Sequence, residues 1–305
     1  MNSNQNSFHV AAFYRFFPVE ETKLSSFQEV VSSFGKKLNM GGLVILAKEG
    51  INGTVAGTKQ AIEEFFTSLS NTFSIESWDI KISLSEKRPF PRFKVRLRDE
   101  IVTTGVAEFT QLTPSEEGYL NPKEWHEMLQ REDVVLIDTR NWYETEIGIF
   151  ENAIDPKFVT FQEFPEYVDR AGIEKDKTVM MYCTGGIRCE KASLIMKEKG
   201  YKHVFQLKGG ILKYLEEFPD GQFKGECFVF DNRVAVDNQL EPTKTYALCP
   251  HYGQPAKVEI VCENCGKPAK VLERCLTEPG KRTCSKNCAY HVQRKLHSGQ
   301  EKGSL

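Results

Sequence analysis

No uninterrupted apolar run in this chain approaches the roughly 18 to 20 residues that a membrane-spanning helix needs, so a membrane protein is excluded as an expectation. Its first residues, MNSNQNSFHV, carry neither a basic n-region nor an apolar core, and a secretory signal is not supported. Neither sign of charge is in excess: 40 Lys+Arg face 42 Asp+Glu, a formal balance of -2, which rules out a uniformly basic nucleic-acid coat but not local patches. There is no internal repeat, no low-complexity tract, no dinucleotide fingerprint, no flavin motif, and no facial metal triad that can be placed. Cysteine is missing before Cys183, whereas six of the nine cysteines lie from Cys249 onward. In a chain without a leader the default setting is the reducing cytoplasm, where clustered thiols read as catalytic or metal-binding before disulfide-forming. What is present is ample core material, 40% hydrophobic and 11% aromatic, on a 305-residue chain too long for one core.

The first hundred residues alternate strand and helix patterns. HVAAFYRFF is β-type and ends at Pro18, and KLSSFQEVVSSFGKKL has apolar residues at helical spacing before Gly41-Gly42. LVILAKEGINGTVAG reads as two strands around an EGING turn, in which Glu49 and Asn52 are candidates for a functional role with turn formation as the default, and KQAIEEFFTSLS reads as a second helix. Strands near SWDIKISLS and RFKVRLRDEIVTTG complete a ferredoxin-like, acylphosphatase-like α+β module over residues 1–105. From VVLIDTR onward the pattern becomes short, fully apolar strands separated by helices, which predicts a parallel α/β domain over residues 120–220 with its site beyond the carboxyl ends of the strands. Residues 221–305 form a connector and a small Cys-rich tail. The fold class is therefore α/β with an added α+β module.

The sharpest chemical signal is TVMMYCTGGIRCEKAS. An apolar strand delivers Cys183 into a loop of Thr184, Gly185 and Gly186, and a helix starts at about Ile187, aiming backbone N–H groups at the sulfur with Arg188 nearby. Such donors favour thiolate over thiol and make Cys183 a candidate nucleophile. Cys189, on the first helical turn, either resolves an oxidised Cys183 or packs against the sheet.

CTGGIR resembles the active loop of the rhodanese family, a Cys followed by four residues and an Arg. IDTRNWYE resembles that family's first conserved segment, and HVFQLKGGI its closing strand and helix start, so the resemblance covers about Asn121 to Phe218. It implies that Asp138 and Arg140 position the loop as an ion pair. AKEGINGTVAG, PFPRFKVRLRDEIVTTG, DTRNWYETEIGIFENAI, CTGGIRCEKAS and GECFVFDNRVAV, in this order, closely resemble the rhodanese-domain tRNA uridine hydroxylases. That resemblance implies oxygen-dependent conversion of a wobble uridine in tRNA to 5-hydroxyuridine, with dioxygen as co-substrate and Cys183 as the catalytic residue. Addition of a thiolate at C6 of uracil would give C5 carbanion character, and an oxidised sulfur intermediate is the alternative. Two rival functions stand beside it: sulfur transfer through a Cys183 persulfide, and a redox-sensing tRNA-binding protein.

Charge and thiols in the flanks add partners. Lys81, Lys87, Arg88, Arg92, Lys94, Arg96 and Arg98 crowd one stretch, interleaved with Phe90 and Phe93. Arg92, Lys94, Arg96 and Arg98 form the candidate RNA-binding stripe, with Lys94, Arg96 and Arg98 alternating on one strand face and the aromatics available to bases; a protected sheet edge is the alternative. In the tail, Cys262-x2-Cys265 and Cys284-x3-Cys288 stand eighteen residues apart, close to structural zinc spacing, with Cys249, Cys275, His251 and His291 in reserve. Residues 120–220 carry 14 basic and 19 acidic side chains, residues 262–305 carry 9 and 4, so tRNA is expected on the flanks of an acidic catalytic domain. His9, His126, His203 and His297 have no assignable partner. Nothing specifies an oligomeric state.

Overall fold

A computed structural model of the chain describes residues 7–106 and 117–300. The chain divides into two compact units, Met1–Asp231 with Val236–Glu241, and Asn232–Ala235 with Pro242–Leu305. Among the described residues no helix is long and apolar enough to cross a membrane.

The first unit opens with β1 (Phe8–Phe16), α1 (Leu24–Lys37), β2 (Gly41–Ala47), β3 (Gly50–Gly57), α2 (Lys59–Phe73) and β4 (Asp79–Ser85), followed by β5 (Phe93–Leu97). The sheet order is β4-β1-β3-β2-β5, with β5 parallel to β2 at the edge. The first four strands already complete the ferredoxin-like module, and RFKVRL adds a fifth. Helix α1 forms because Leu24, Phe27, Val31 and Phe34 recur at helical spacing and join the core with Phe65, Phe66 and Leu69 of α2. Thr58 caps α2 by accepting the Ala61 N–H at 3.1 Å. The β2–β3 turn is only Lys48-Glu49, because Gly50 begins the strand at φ +142, where a Cβ would lie 2.1 Å from the Arg15 carbonyl oxygen. Ile51, Asn52 and Gly53, expected in the turn, are therefore paired strand residues.

The second half of this unit contains β6 (Tyr119–Leu120), α3 (Pro122–Met128), β7 (Val134–Asp138), α4 (Trp142–Thr145), β8 (Gly148–Phe150), α5 (Phe164–Arg170), β9 (Thr178–Tyr182), α6 (Ile187–Glu198), β10 (His203–Leu207) and α7 (Gly210–Glu217). Strands β6-β10-β9-β7 form a parallel sheet in that order. Alternation along β9 sends Val179, Met181 and Cys183 into a core with α5 and α6, and Met180 and Tyr182 into a core with Trp125 of α3 and the apolar face of α7. Both faces are covered, which is why the strand is apolar throughout. The described residues thus form the α/β fold expected. His126 finds a partner after all, since its Nδ1 lies 2.8 Å from the Tyr214 hydroxyl and its ring stacks on Phe218.

The second unit is small. An antiparallel hairpin pairs Val258–Val261 with Pro268–Val271, and α8 (Lys286–Gln300) follows. Its core is Cys249, Ala256, Ile260, Val271 and Cys275.

Candidate active site

Strand β9 ends by placing Cys183 in the turn that precedes α6. Gly186, at φ +101, reverses the chain so that its N–H donates to Cys183 Sγ at 3.1 Å. The other side of the loop is held by α7, whose Ile211 and Leu212 N–H groups donate to the Cys183 and Thr184 carbonyls at 3.0 and 3.1 Å. Gly210 makes that approach possible, because a Cβ there would lie 2.6 Å from both carbonyl oxygens. The CTGGIR and KGG segments are thus two halves of one cradle.

Cys183 is 1% exposed. Burial by itself pushes its thiol up, but donation from Cys189, the Arg188 charge, and the Arg188 and Gly186 N–H groups outweigh burial and bring it down to about 5. The sulfur is therefore a thiolate at neutral pH. Cys189 is the counterpart: burial and its bond to Cys183 hold it well above the usual thiol range, and it packs at the sheet with Thr139 Oγ1 3.7 Å away. It serves the loop as a protonated donor.

Arg188 does not face the sulfur alone. Its guanidinium donates to both Glu144 oxygens, at 2.6 and 2.8 Å, and both side chains are buried. Burial pushes the Glu144 carboxyl up, but Arg188 more than offsets it and keeps it ionised. Glu144 was not among the expected site residues; its position three after Asn141 reads as a capping box, which it also supplies by accepting the Asn141 N–H. Asp138 and Arg140 are a fully buried pair at 2.7 Å at the end of β7, and Arg140 also donates to the Gly148 carbonyl at 2.6 Å. Their partners brace the strand end.

The N-terminal module reaches the same loop, which no motif announced. The Tyr14 hydroxyl of β1 lies 2.9 Å from where a Cβ on Gly186 would stand, and donates to Glu190 at 2.6 Å. Tyr119 donates to the same carboxylate at 2.6 and 2.7 Å. Burial raises the Glu190 carboxyl despite these donors. The next residue, Lys191, is buried between Glu49 at 2.9 Å and Glu100 at 2.5 Å. Glu49 thus sits in the β2–β3 turn, as expected, but is also a buried ion-pair partner, and its Oε1 accepts the Ile101 N–H at 2.6 Å. No local sequence signal pointed to these partners: it is the structure that buries all of Arg188 to Ser193 in α6, although three of the six are charged.

The basic stripe divides. Lys94 and Arg96 are exposed on β5, and Arg92 and Arg98 are exposed beyond its two ends. Register pairs Arg96 with Ile45, Ile45 with Asn52 and Asn52 with Tyr14, so Arg96 lies in the cross-strand row that ends beside Gly186, about 14 Å from Tyr14 at the usual strand spacing. Phe90 and Phe93 are not available to bases: Phe90 is buried, and Phe93 packs edge-on to Phe65 at 5.8 Å beneath Gly35. Lys81 is likewise withdrawn, buried against Asp79 and the Tyr14 ring.

In the tail, the sulfurs of Cys262, Cys265, Cys284 and Cys288 lie within 4.8 Å of one another. Adjacent separations of 3.5, 3.7 and 3.8 Å match the S···S edge of about 3.8 Å that four Zn–S bonds of 2.3 Å impose. Cys249 sits in a backbone turn of the same kind as Cys262: in each the cysteine N–H reaches the carbonyl five residues on, and a left-handed Gly four residues on donates back. The repeat that the sequence hides is this pair of knuckles. At the second, Tyr252 stands where the matching cysteine would be and donates to Glu278 at 2.6 Å, leaving Cys249 and Cys275 as a pair of thiols 3.6 Å apart.

Three family models match in order: the UPF0176 acylphosphatase like domain over residues 8–101, the rhodanese-like domain over 121–217, and the rhodanase C-terminal region over 224–289. A tRNA uridine(34) hydroxylase of Bdellovibrio bacteriovorus is 46% identical over 297 residues, spanning 96% of this chain and 83% of that protein. Proteins of the same name from Legionella pneumophila (strain Lens) and Acinetobacter baumannii (strain AYE) are 45% and 47% identical over 237 residues, spanning 76% of this chain and 91% and 73% of theirs. With a thiolate loop braced by its N-terminal module and this likeness over nearly the whole length, the chain belongs to the tRNA uridine(34) hydroxylase family.

Proposed function

We propose that this protein hydroxylates C5 of uridine 34 in tRNA, in the cytoplasm, with dioxygen as co-substrate and Cys183 as the residue that reacts with the base. The observation that carries the reading is the Cys183 sulfur itself, held down to about 5 by Cys189, Arg188 and the loop N–H groups. Uracil C5 is a weak nucleophile. Addition of the thiolate at C6 moves an electron pair onto C5 and O4, so that C5 can attack dioxygen and form a C5–O bond; the O–O bond is then cleaved with two electrons and two protons from an external two-electron reductant, which leaves one oxygen on C5 as hydroxyl and releases the other as water. Loss of the C5 proton and departure of the Cys183 sulfur from C6 then restore the ring. Arg188 and the α6 N–H groups stabilise the sulfur anion each time it is released.

Arg92, Lys94, Arg96 and Arg98 supply phosphate contacts on the sheet that leads to the loop. The four-cysteine cluster of the tail takes a structural zinc through Cys262, Cys265, Cys284 and Cys288, a closed all-thiolate set of the kind that contributes folding energy. The central test is mass analysis of tRNA nucleosides from cells carrying wild-type protein, no protein, or Cys183→Ala. 5-Hydroxyuridine derivatives should be lost in the last two; their persistence with Cys183→Ala refutes the reading. Purified protein should turn over thiosulfate and cyanide only slowly, and rapid turnover would favour sulfur transfer. Protein prepared without chelator should carry one equivalent of zinc, with less than half an equivalent counting against the site.

A further inference from the structure

Among the described residues, Phe230 is the one phenylalanine counted with the exposed large hydrophobic side chains, at 56% exposure. Its position is not that of a stray surface ring. The Arg188 guanidinium, part of the thiol loop, lies 5.9 Å from its centroid. Behind it, Phe228 is buried and meets Phe230 edge-on at 5.0 Å, and Tyr143 meets Phe228 edge-on at 5.4 Å. Tyr143 is fixed in turn by Asn141, whose side-chain amide donates to its hydroxyl at 3.1 Å. The ring is therefore braced by Phe228, is more than half exposed to water, and is set beside the Arg188 guanidinium of the thiol loop.

Resting on the proposed hydroxylation, the demand at this site is specific. Cys183 is 1% exposed, so a base that reaches its sulfur must leave its own stack and enter the loop, while the adjoining nucleotide stays outside. Unstacking is offset where an aromatic ring replaces the lost neighbour. We propose that Phe230 is a nucleobase-stacking residue, which takes the base adjoining the target uridine in the single-stranded anticodon loop and thereby holds the target over Cys183. Arg188 stiffens this platform as a cation beside the ring while keeping its bonds to Glu144.

The test uses the full-length protein and an anticodon stem-loop RNA with uridine at its first anticodon position, alongside the same RNA made abasic at each neighbour of that uridine. Phe230→Ala should weaken binding and raise KM about tenfold, within the range for loss of one stacked base, with kcat within about twofold of wild type. Phe230→Trp should restore both, and the pH dependence of Cys183 alkylation should be the same in all three proteins. One abasic RNA should cost wild type about tenfold and cost Phe230→Ala nothing further. Equal KM for Phe230→Ala and wild type, or an equal additional loss with every abasic RNA, overturns the stacking role while leaving hydroxylation intact. Absence of both binding and hydroxylation by the wild-type protein overturns the proposed function and the stacking role together.

Discussion

Replacing Cys189 with Ala removes the thiol that donates to the Cys183 sulfur while leaving Arg188 and the two N–H donors in place. A hydrogen bond to a charged group contributes ~1.5–3 kcal/mol, and one pK unit corresponds to ~1.36 kcal/mol. The Cys183 titration should therefore move from about 5 to between about 6 and 7. At pH 6 the wild-type sulfur is then roughly nine-tenths ionised, and the variant, at the middle of that range, roughly one-quarter. The assay is the pH dependence of alkylation of the Cys183 peptide, read by mass spectrometry so that the other thiols do not interfere. Cys189→Ser keeps a donor at nearly the same volume and should titrate close to wild type. The two variants share any packing loss of about 1 kcal/mol, so stability does not mimic the result. A wild-type midpoint in Cys189→Ala, or an equal displacement in Cys189→Ser, refutes the donor role. The same linkage has a stability sign. The folded value lies below the ordinary 9.0, so ionised Cys183 stabilises the fold above about pH 9, and that contribution is lost as pH falls through about 5.

Lys191→Met strands Glu49 and Glu100 without their cation; breaking such a buried pair costs ~3–5 kcal/mol, and a fall in Tm of order 10 °C is expected by calorimetry, with an unchanged Tm counting against the bridge. The two glutamates should respond oppositely to acid. Burial acts first on Glu100, but Lys191, Thr104 and Gly105 hold its carboxyl below 4.5, so its stabilisation is present above about pH 4.5 and lost as pH falls below it. Glu49 is raised by burial, so its contribution is present below about 4.5 and lost as pH rises through its folded value. Urea midpoints of Glu100→Gln and Glu49→Gln between pH 3 and 7 should depart from wild type with opposite slopes, and parallel slopes would contradict the assignment. Lys94→Glu with Arg96→Glu should weaken tRNA binding and reduce the log–log salt slope by about 2; an unchanged slope removes both side chains from the phosphate path.

The legibility of the site followed the range of its interactions. Cys183, Gly186 and Arg188 could be read in the chain because the loop is local: strand end, turn and helix start fall within a few residues, and each residue type has its own backbone or charge consequence there. Glu144 was harder, since its capping role hides its ion pair with a residue 44 positions away. Tyr14, Glu49 and Glu100 could not be read at all. Each becomes a loop support only when sheet register brings β1, the β2–β3 turn and the end of β5 against α6. Conversely, the aromatics interleaved with the basic stripe looked available to RNA, yet alternation turned Phe93 into the core and left Lys94 and Arg96 outside.

By itself the sequence determined the two α/β architectures, the thiolate loop, the absence of a membrane helix among the described residues, and the four-cysteine set of the tail, because periodicity, glycine placement and ligand spacing act over short stretches. Tertiary structure alone decided which charges are buried and paired, which basic residues share a row with the loop, and that Tyr252 occupies, in a second knuckle-like turn, the place that Cys265 holds in the first. Those outcomes depend on desolvation and on partners distant in sequence. Both are properties of packing, and neither is carried by any local run of residues.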